Sequence, residues 1–147
     1  MGRLLRFGLL IAGMAAGAAC GGDGGTGPAD VNLTGSWSAT MSPIRGHGLD
    51  CTISGLEVQL VHSETDLSGS YTVQDIVCNG QHSGPGGGSV VSGTAIGGQL
   101  HFHLDDENFD LHGRSTSANL ASGTYTIVLT VQGQTYSFTG TWSARRH

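Results

Sequence analysis

The stretch FTGTW at residues 138–142 belongs to a pattern that recurs along the chain and decides the fold. The pattern is an apolar residue, a hydroxyl residue, glycine, a second hydroxyl residue and then, usually, an aromatic ring. Further copies are LTGSW at 33–37, LSGSY at 67–71, VSGTA at 91–95 and ASGTY at 121–125, with LHGRS at 111–115 as a looser one. In a strand, the first, third and fifth residues share one face and the hydroxyls the other. Glycine on the apolar face lets a strand bend or lets a large neighbour pack over bare backbone, as in closed barrels.

The spacing of the copies predicts an all-β domain. The expected strands are 33–41, 53–62, 67–77, 89–96, 99–105, 108–115, 122–131 and 135–145. No segment longer than a turn has helical periodicity. Eight strands joined mostly by short turns favour a single small antiparallel up-and-down β-barrel, with a sandwich as the alternative. Segments 42–52 and 79–88 are expected to be loops. The alternation of apolar and polar residues shifts by one residue near 54–55 and again at the facing position near 74–75, which indicates a bulge.

The last two strands are expected to form a hairpin that sets large side chains against glycines. A turn through Gly133 and Gln134 would place Tyr125 against Trp142 on one face of this hairpin. The interior of a small barrel is filled by side chains, often with large ones facing small ones. The hairpin is therefore expected to contribute its aromatic rings to the core.

Two of the three cysteines are predicted to form a disulfide. The segments 56–62 and 67–73 alternate apolar and polar residues, which indicates a hairpin. Continuing the register of that hairpin places Cys51 directly opposite Cys78. Opposed strand residues have Cβ atoms about 4.5–5.5 Å apart, close to what a disulfide requires. Two separate buried thiols are the alternative.

The beginning of the chain has the pattern of an export signal. Arg3 and Arg6 precede an apolar stretch over 4–19, which ends in small residues before Cys20 and a glycine-rich run. The apolar stretch is shorter than the ~20 residues that span a bilayer. A charged start, an apolar middle and a small-residue end are typical of a signal peptide. Residues 1–25 therefore resemble the signal peptide of a bacterial lipoprotein, whose cysteine becomes the lipid-bearing first residue of the mature chain.

This resemblance implies an organisation and a location. It implies a signal peptide over 1–19, a lipidated Cys20 with a flexible tether over 20–32, and a β-barrel domain over 33–147. Cleavage after Ala18 by an ordinary signal peptidase is the alternative. The expected location is the bacterial cell envelope, with the lipid anchor in the outer membrane and the domain facing the periplasm or the surface. Assigning Cys20 to lipid leaves an even pair of cysteines, as an oxidising compartment favours.

The strand motifs themselves resemble those of avidin-like and lipocalin-like barrels. The likeness covers residues 33–145 and implies a barrel whose mouth binds a small ligand. Biotin binding is not carried over, because Ala39 and Val73 stand where avidins have an asparagine and a serine. Four aromatic residues of the expected inward face are candidate ligand contacts, with core packing as the alternative. They are Trp37, Tyr71, Tyr125 and Trp142.

A second candidate site is a group of histidines on the fifth and sixth expected strands. Pairing these strands around a turn at 105–108 sets His103 across from Asp110 and His101 across from His112. Three imidazoles and one carboxylate on a shared face are a ligand set that suits zinc or another divalent metal. The alternative is an ordinary solvated face, because an open hairpin offers little of the shielding that metal sites need.

Composition and charge restrict the classes of partner. The 147-residue chain has no lysine, and its 6 basic residues stand against 11 acidic ones for a net charge of −5. That balance argues against nucleic acid and anionic lipid headgroups as partners. No Gly-x-Ser-x-Gly elbow or other catalytic constellation is present, so neither an enzyme nor a cofactor is predicted. The expected function is binding of a small ligand or an envelope protein, with a solid-barrelled structural or envelope-assembly factor or a divalent-metal-binding protein as alternatives.

Overall fold

The computed structural model describes residues 31–105 and 108–147. In these two ranges the regular structure is entirely β, and no helix is long and apolar enough to cross a membrane. The strands are β1 Gly35–Met41, β2 Ile44–Gly46, β3 Leu49–Ser54, β4 Leu56–Ser63, β5 Asp66–Val73, β6 Asp75–Cys78, β7 Gln81–His82, β8 Gly86–Ile96, β9 Gln99–Leu104, β10 Phe109–Ser117, β11 Leu120–Val131 and β12 Gln134–Arg146.

Eight of the strands form a closed barrel. Their order around it is β1-β12-β11-β10-β9-β8-β5-β4, and all neighbouring pairs are antiparallel. Most barrel strands lie beside the strand that precedes them in the chain. The exceptions are β4, which lies beside β1, and β8, which lies beside β5. Pairing of β1 with both β12 and β4 closes the sheet, so that no edge is left open. The predicted up-and-down β-barrel is confirmed, and the sandwich is excluded.

Aromatic rings fill the barrel by lying over glycines. Tyr125 pairs with Gly140, and Trp142 pairs with Gly123. Only 1% of Tyr125 and 5% of Trp142 is exposed to solvent. A Cβ atom added at Gly140 would overlap both the Tyr125 ring and the Ser42 hydroxyl. The absence of a side chain at this glycine of the recurring pattern therefore leaves room for an aromatic ring.

The turn between β11 and β12 lies one residue earlier than predicted. It is formed by Gln132 and Gly133, which have φ angles of 52° and 81°. The predicted pairing of this hairpin is therefore wrong, since Tyr125 faces Gly140 rather than Trp142. The register differs by two residues, so every side chain keeps its predicted face. Large rings still meet glycines, as expected for a narrow interior.

The segments predicted as loops contain strands: 42–52 holds β2 and part of β3, and 79–88 holds β7 and the first residues of β8. Together with β6, the strands β2, β3 and β7 form a second sheet, which we call the cap. Its strand order is β2-β3-β6-β7. The β4–β5 hairpin continues into β3 and β6, with a break at Gly55 and Gln74. Gly55 has a φ of 61°, a conformation that disfavours residues with a Cβ. The expected bulge is thus the point at which the two-stranded ribbon leaves the barrel wall and covers one end.

The other end of the barrel is closed by the chain segment that leads into β1. Leu33 is buried there, and its carbonyl oxygen accepts a hydrogen bond from the Trp37 indole at 2.9 Å. Arg146 donates to the carbonyl oxygen of Asn32 at 2.8 Å. Because β1 runs from this end to Met41 beside the cap, the chain preceding the barrel arrives at the end opposite the cap.

The ring-over-glycine packing predicts a large effect of one methyl group. Gly140→Ala should lower the free energy of unfolding by about 2 kcal/mol, since the added Cβ overfills the core. Urea unfolding followed by tryptophan fluorescence measures this. Gly86→Ala is the matched control, because its Cβ would lie at an ordinary 3.5 Å from Val73. Equal stabilities of the two variants would contradict the packing described.

Candidate functional site

The centre of the barrel has almost no free space. A cavity of about 30 Å³ remains there, bounded by apolar side chains that include Trp37 and Trp142. Ligand pockets usually measure ~300–1,000 Å³. The centre therefore offers room for a water molecule or two and not for a ligand. Two of the four predicted ligand contacts, Trp37 and Trp142, are core residues in this structure.

A larger cavity lies between the end of the barrel and the cap, and we call it the cap cavity. Its volume is about 240 Å³. Its walls are formed by apolar side chains, by Tyr71 and by the two disulfide-bonded cysteines. The lining residues are Met41, Ile44, Cys51, Ile53, Leu56, Tyr71, Val73, Ile76, Cys78, Leu104, Phe109, Ile127 and Leu129.

The disulfide ties together the two central strands of the cap. Cys51 in β3 is paired directly with Cys78 in β6, and their sulfur atoms are bonded at 2.04 Å. This confirms the predicted pairing. The bond closes a loop with a sequence separation of 27 residues. A loop of that size corresponds to roughly 3 kcal/mol of stabilisation. Both cysteines line the cap cavity, so the bond also fixes part of its wall.

The two tyrosines among the predicted ligand contacts have different surroundings. Tyr125 lines neither cavity, and its hydroxyl donates to the carbonyl oxygen of Ser42 at 2.8 Å, which fixes the chain after β1. Tyr71 lines the cap cavity, and its hydroxyl donates to the Asp105 carboxylate. Of the four predicted contacts, Tyr71 is therefore the one that borders the larger of the two cavities.

His47 attaches the cap to the barrel, a role that the sequence did not reveal. Its ring stacks on Tyr136 of β12 at 3.9 Å between centroids and meets Phe138 edge-on at 5.9 Å. Within the cap, the Asn79 side chain, in the turn after β6, accepts a hydrogen bond from the backbone N–H of Asp50 at 2.8 Å. From sequence, an isolated histidine in a glycine-rich loop indicates only a solvated side chain. The role of His47 becomes evident only in the folded structure, where Tyr136 and Phe138 of β12 lie next to its ring.

The predicted histidine group is brought together on the outer face of β9 and β10. His101 pairs with His112, and His103 pairs with Asp110. The Asp110 carboxylate lies 2.7 Å from Nε2 of His101 and 3.0 Å from Nε2 of His112. The rings of His101 and His112 stack in parallel, with centroids 4.1 Å apart. Nε2 of His103 lies 3.6 Å from the same carboxylate.

Asp110 is held in its charged form by these neighbours. Partial burial raises the pKa of the Asp110 carboxyl, but hydrogen bonds from His101 and His112 outweigh that effect, and the net pKa is lowered. The Asp110 side chain is 29% exposed, and that of His103 is 15% exposed. The group is therefore more shielded than an open hairpin face suggests, although His112 remains 57% exposed.

A third polar group, which the sequence did not indicate, contains Ser38, Glu57 and His147. Nε2 of His147 lies 2.6 Å from the Ser38 hydroxyl and 3.2 Å from the Glu57 carboxylate, while Ser38 also donates to Glu57 at 2.7 Å. In a nucleophilic triad the imidazole uses one nitrogen for the acid and the other for the serine. Here a single nitrogen faces both, which is the geometry of a surface hydrogen-bond network.

Cys20, the predicted lipidation site, lies outside the described residues, as do the predicted signal peptide and most of the tether. Comparisons with protein-family models, with curated proteins and with solved structures find no match to this chain. The likeness to avidin-like and lipocalin-like barrels stays a prediction from the strand motifs.

Proposed function

We propose that this chain is a lipid-anchored protein of the bacterial cell envelope whose barrel binds a small apolar ligand without catalysis. The single observation that supports ligand binding is the apolar cap cavity of about 240 Å³. The centre of the barrel, with about 30 Å³, offers no competing space. The binding site is therefore the covered mouth of the barrel, beneath the cap.

The lining of the cap cavity selects the chemistry of the ligand. Among its lining residues, Tyr71 carries a hydroxyl, which donates to Asp105, and Met41, Cys51 and Cys78 carry sulfur atoms, while the other side chains are hydrocarbon. A charged or strongly polar ligand would lose its hydration there without gaining hydrogen bonds. A hydrocarbon chain or a small aromatic ring suits these walls. An engineered apolar cavity of ~150 Å³ holds benzene, so this cavity suits a somewhat larger molecule.

Filling the cap cavity is energetically favourable. Its walls are largely apolar, so a bound apolar ligand exchanges contact with water for contact with these side chains. Lining residues from both the barrel and the cap are only partly buried, among them Phe109, Ile127 and Ile76. A ligand that covers them removes apolar surface from water.

The predicted anchor gives the site an orientation. The described chain begins at Val31, at the barrel end opposite the cap. A tether over 20–32 that ends in a lipidated Cys20 would join the domain to the membrane at that closed end. The cap cavity would then face away from the bilayer, where ligand can enter from the aqueous side.

Ligand binding can be tested by filling the cavity from one strand. Ile127→Trp places an indole in the cap cavity, whereas Val128→Trp changes the next residue, which does not line the cavity and is 37% exposed. Fluorescence titration with the neutral dye 1-aminonaphthalene should show binding to the wild type and to Val128→Trp. Ile127→Trp should bind at least tenfold more weakly, because its side chain occupies the space. Equal binding by both variants, or none by the wild type, would favour the solid-barrelled structural alternative.

Anchoring can be tested by the intact mass of the protein from a bacterial membrane fraction. We expect a chain that begins at Cys20 with attached acyl groups, and a mass lower by two hydrogen atoms for the Cys51–Cys78 disulfide. Cys20→Ala should move the protein to the soluble fraction, because the acyl chains supply the membrane affinity. Wild-type protein that is soluble, unacylated and begins at Ala19 would instead show ordinary signal-peptidase cleavage.

A further inference from the structure

The outer wall of the barrel carries a second site that is separate from the cap cavity. Along β9 and β10, residues alternate between the interior and the outer face. Phe102 and Leu111 are buried in the core, whereas His101, Asp110 and His112 lie on the outer face. The backbone pairing of the two strands therefore fixes these three side chains as neighbours, independently of any loop.

The convergence of several imidazoles on one carboxylate sets this group apart from the other histidines. His82 with Asp75 and His147 with Glu57 are exposed pairs of one imidazole and one carboxylate. In the part of the chain that the structure describes, no other group of three or more histidine, cysteine or acidic side chains has ligand atoms this close together. The donor atoms of His101, Asp110 and His112 all lie within 4.8 Å of one another.

We propose that His101, Asp110 and His112 bind a divalent transition-metal ion of the zinc class, with His103 in reach as a fourth ligand. Two or three imidazole nitrogens and one carboxylate oxygen are a ligand set that zinc accepts in tetrahedral sites. Neutral imidazole suits zinc, copper and nickel, whereas calcium and magnesium prefer sets made of oxygen atoms alone. The ion would replace the protons through which the two stacked rings now bind Asp110.

The geometry needs only small side-chain movements to accept the ion. Bonds of about 2.0–2.1 Å place the ligand atoms of a tetrahedral zinc site about 3.4 Å apart. The contacts to Asp110 already measure 2.7 Å from His101, 3.0 Å from His112 and 3.6 Å from His103. The strand register fixes the backbone positions. The ligand atoms can therefore move toward the ion by rotation of these partly exposed side chains alone. Because His112 is 57% exposed, the ion would also be open to water or to a further ligand from solution.

The test is isothermal titration of Zn²⁺ into full-length protein that lacks a polyhistidine tag and has been stripped with a chelator. The wild type should bind one ion. His101→Ala/His112→Ala should bind it at least tenfold more weakly, and Asp110→Asn should also weaken it. The matched control is His82→Ala/His147→Ala, which removes two imidazoles that also face carboxylates and leaves the cluster intact. This control should retain wild-type affinity.

A second readout keeps the test independent of changes in stability. Co²⁺ bound through nitrogen and oxygen ligands in a tetrahedral site gives intense visible absorption, which should appear in the wild type and the control and be absent from His101→Ala/His112→Ala. Near-ultraviolet circular dichroism should be the same for all variants, since the substituted side chains lie outside the core. Zinc affinity of the double variant within twofold of the wild type would overturn the proposal. Loss of binding in the His82→Ala/His147→Ala control to the same degree would also overturn it.

Discussion

Trp142 lies across two glycines of neighbouring strands, and its indole N–H is shared between the carbonyl oxygens of His112 and Thr124, at 3.1 Å each. A Cβ atom at Gly113 would overlap the indole ring. An eight-stranded barrel is just wide enough for side chains, so rings of this size fit only where the opposing wall is bare backbone. The same constraint leaves the centre filled, so that the larger of the two interior cavities lies at the end of the barrel.

The cap covers that end and leaves the cap cavity beneath it. The ribbon of β3 and β6 leaves the barrel at Gly55, and the Cys51–Cys78 bond holds its two strands together. His47 then stacks on Tyr136 and fixes the cap to β12. Burial of these contacts stabilises the cap. The proposed ligand site and the proposed metal site are therefore independent, since one lies under the cap and the other outside the wall.

Much of the fold follows from the sequence, because period-two alternation and short turns specify strands and their register. The alignment of Cys51 with Cys78 and of His101 with His112 came from pairing alone. The turn at Gln132 was misplaced because glutamine gives little sign of the positive φ that it adopts there. The cap is not predicted because β2 and β7 are only three and two residues long, too short to show an alternation, while part of β3 and most of β6 fit as continuations of the neighbouring strands. The cap cavity lies between two sheets, and its existence depends on how the ribbon bends, which no local pattern encodes.

Nuclear magnetic resonance of the folded protein reports on the packing of rings over glycines, on which the barrel depends. We expect nuclear Overhauser contacts from the Tyr125 ring to the Hα protons of Gly140 and from the Trp142 ring to those of Gly113 and Gly123. We also expect upfield ring-current shifts of these protons. Glycine Hα resonances at ordinary strand positions, without contacts to either ring, would contradict this packing.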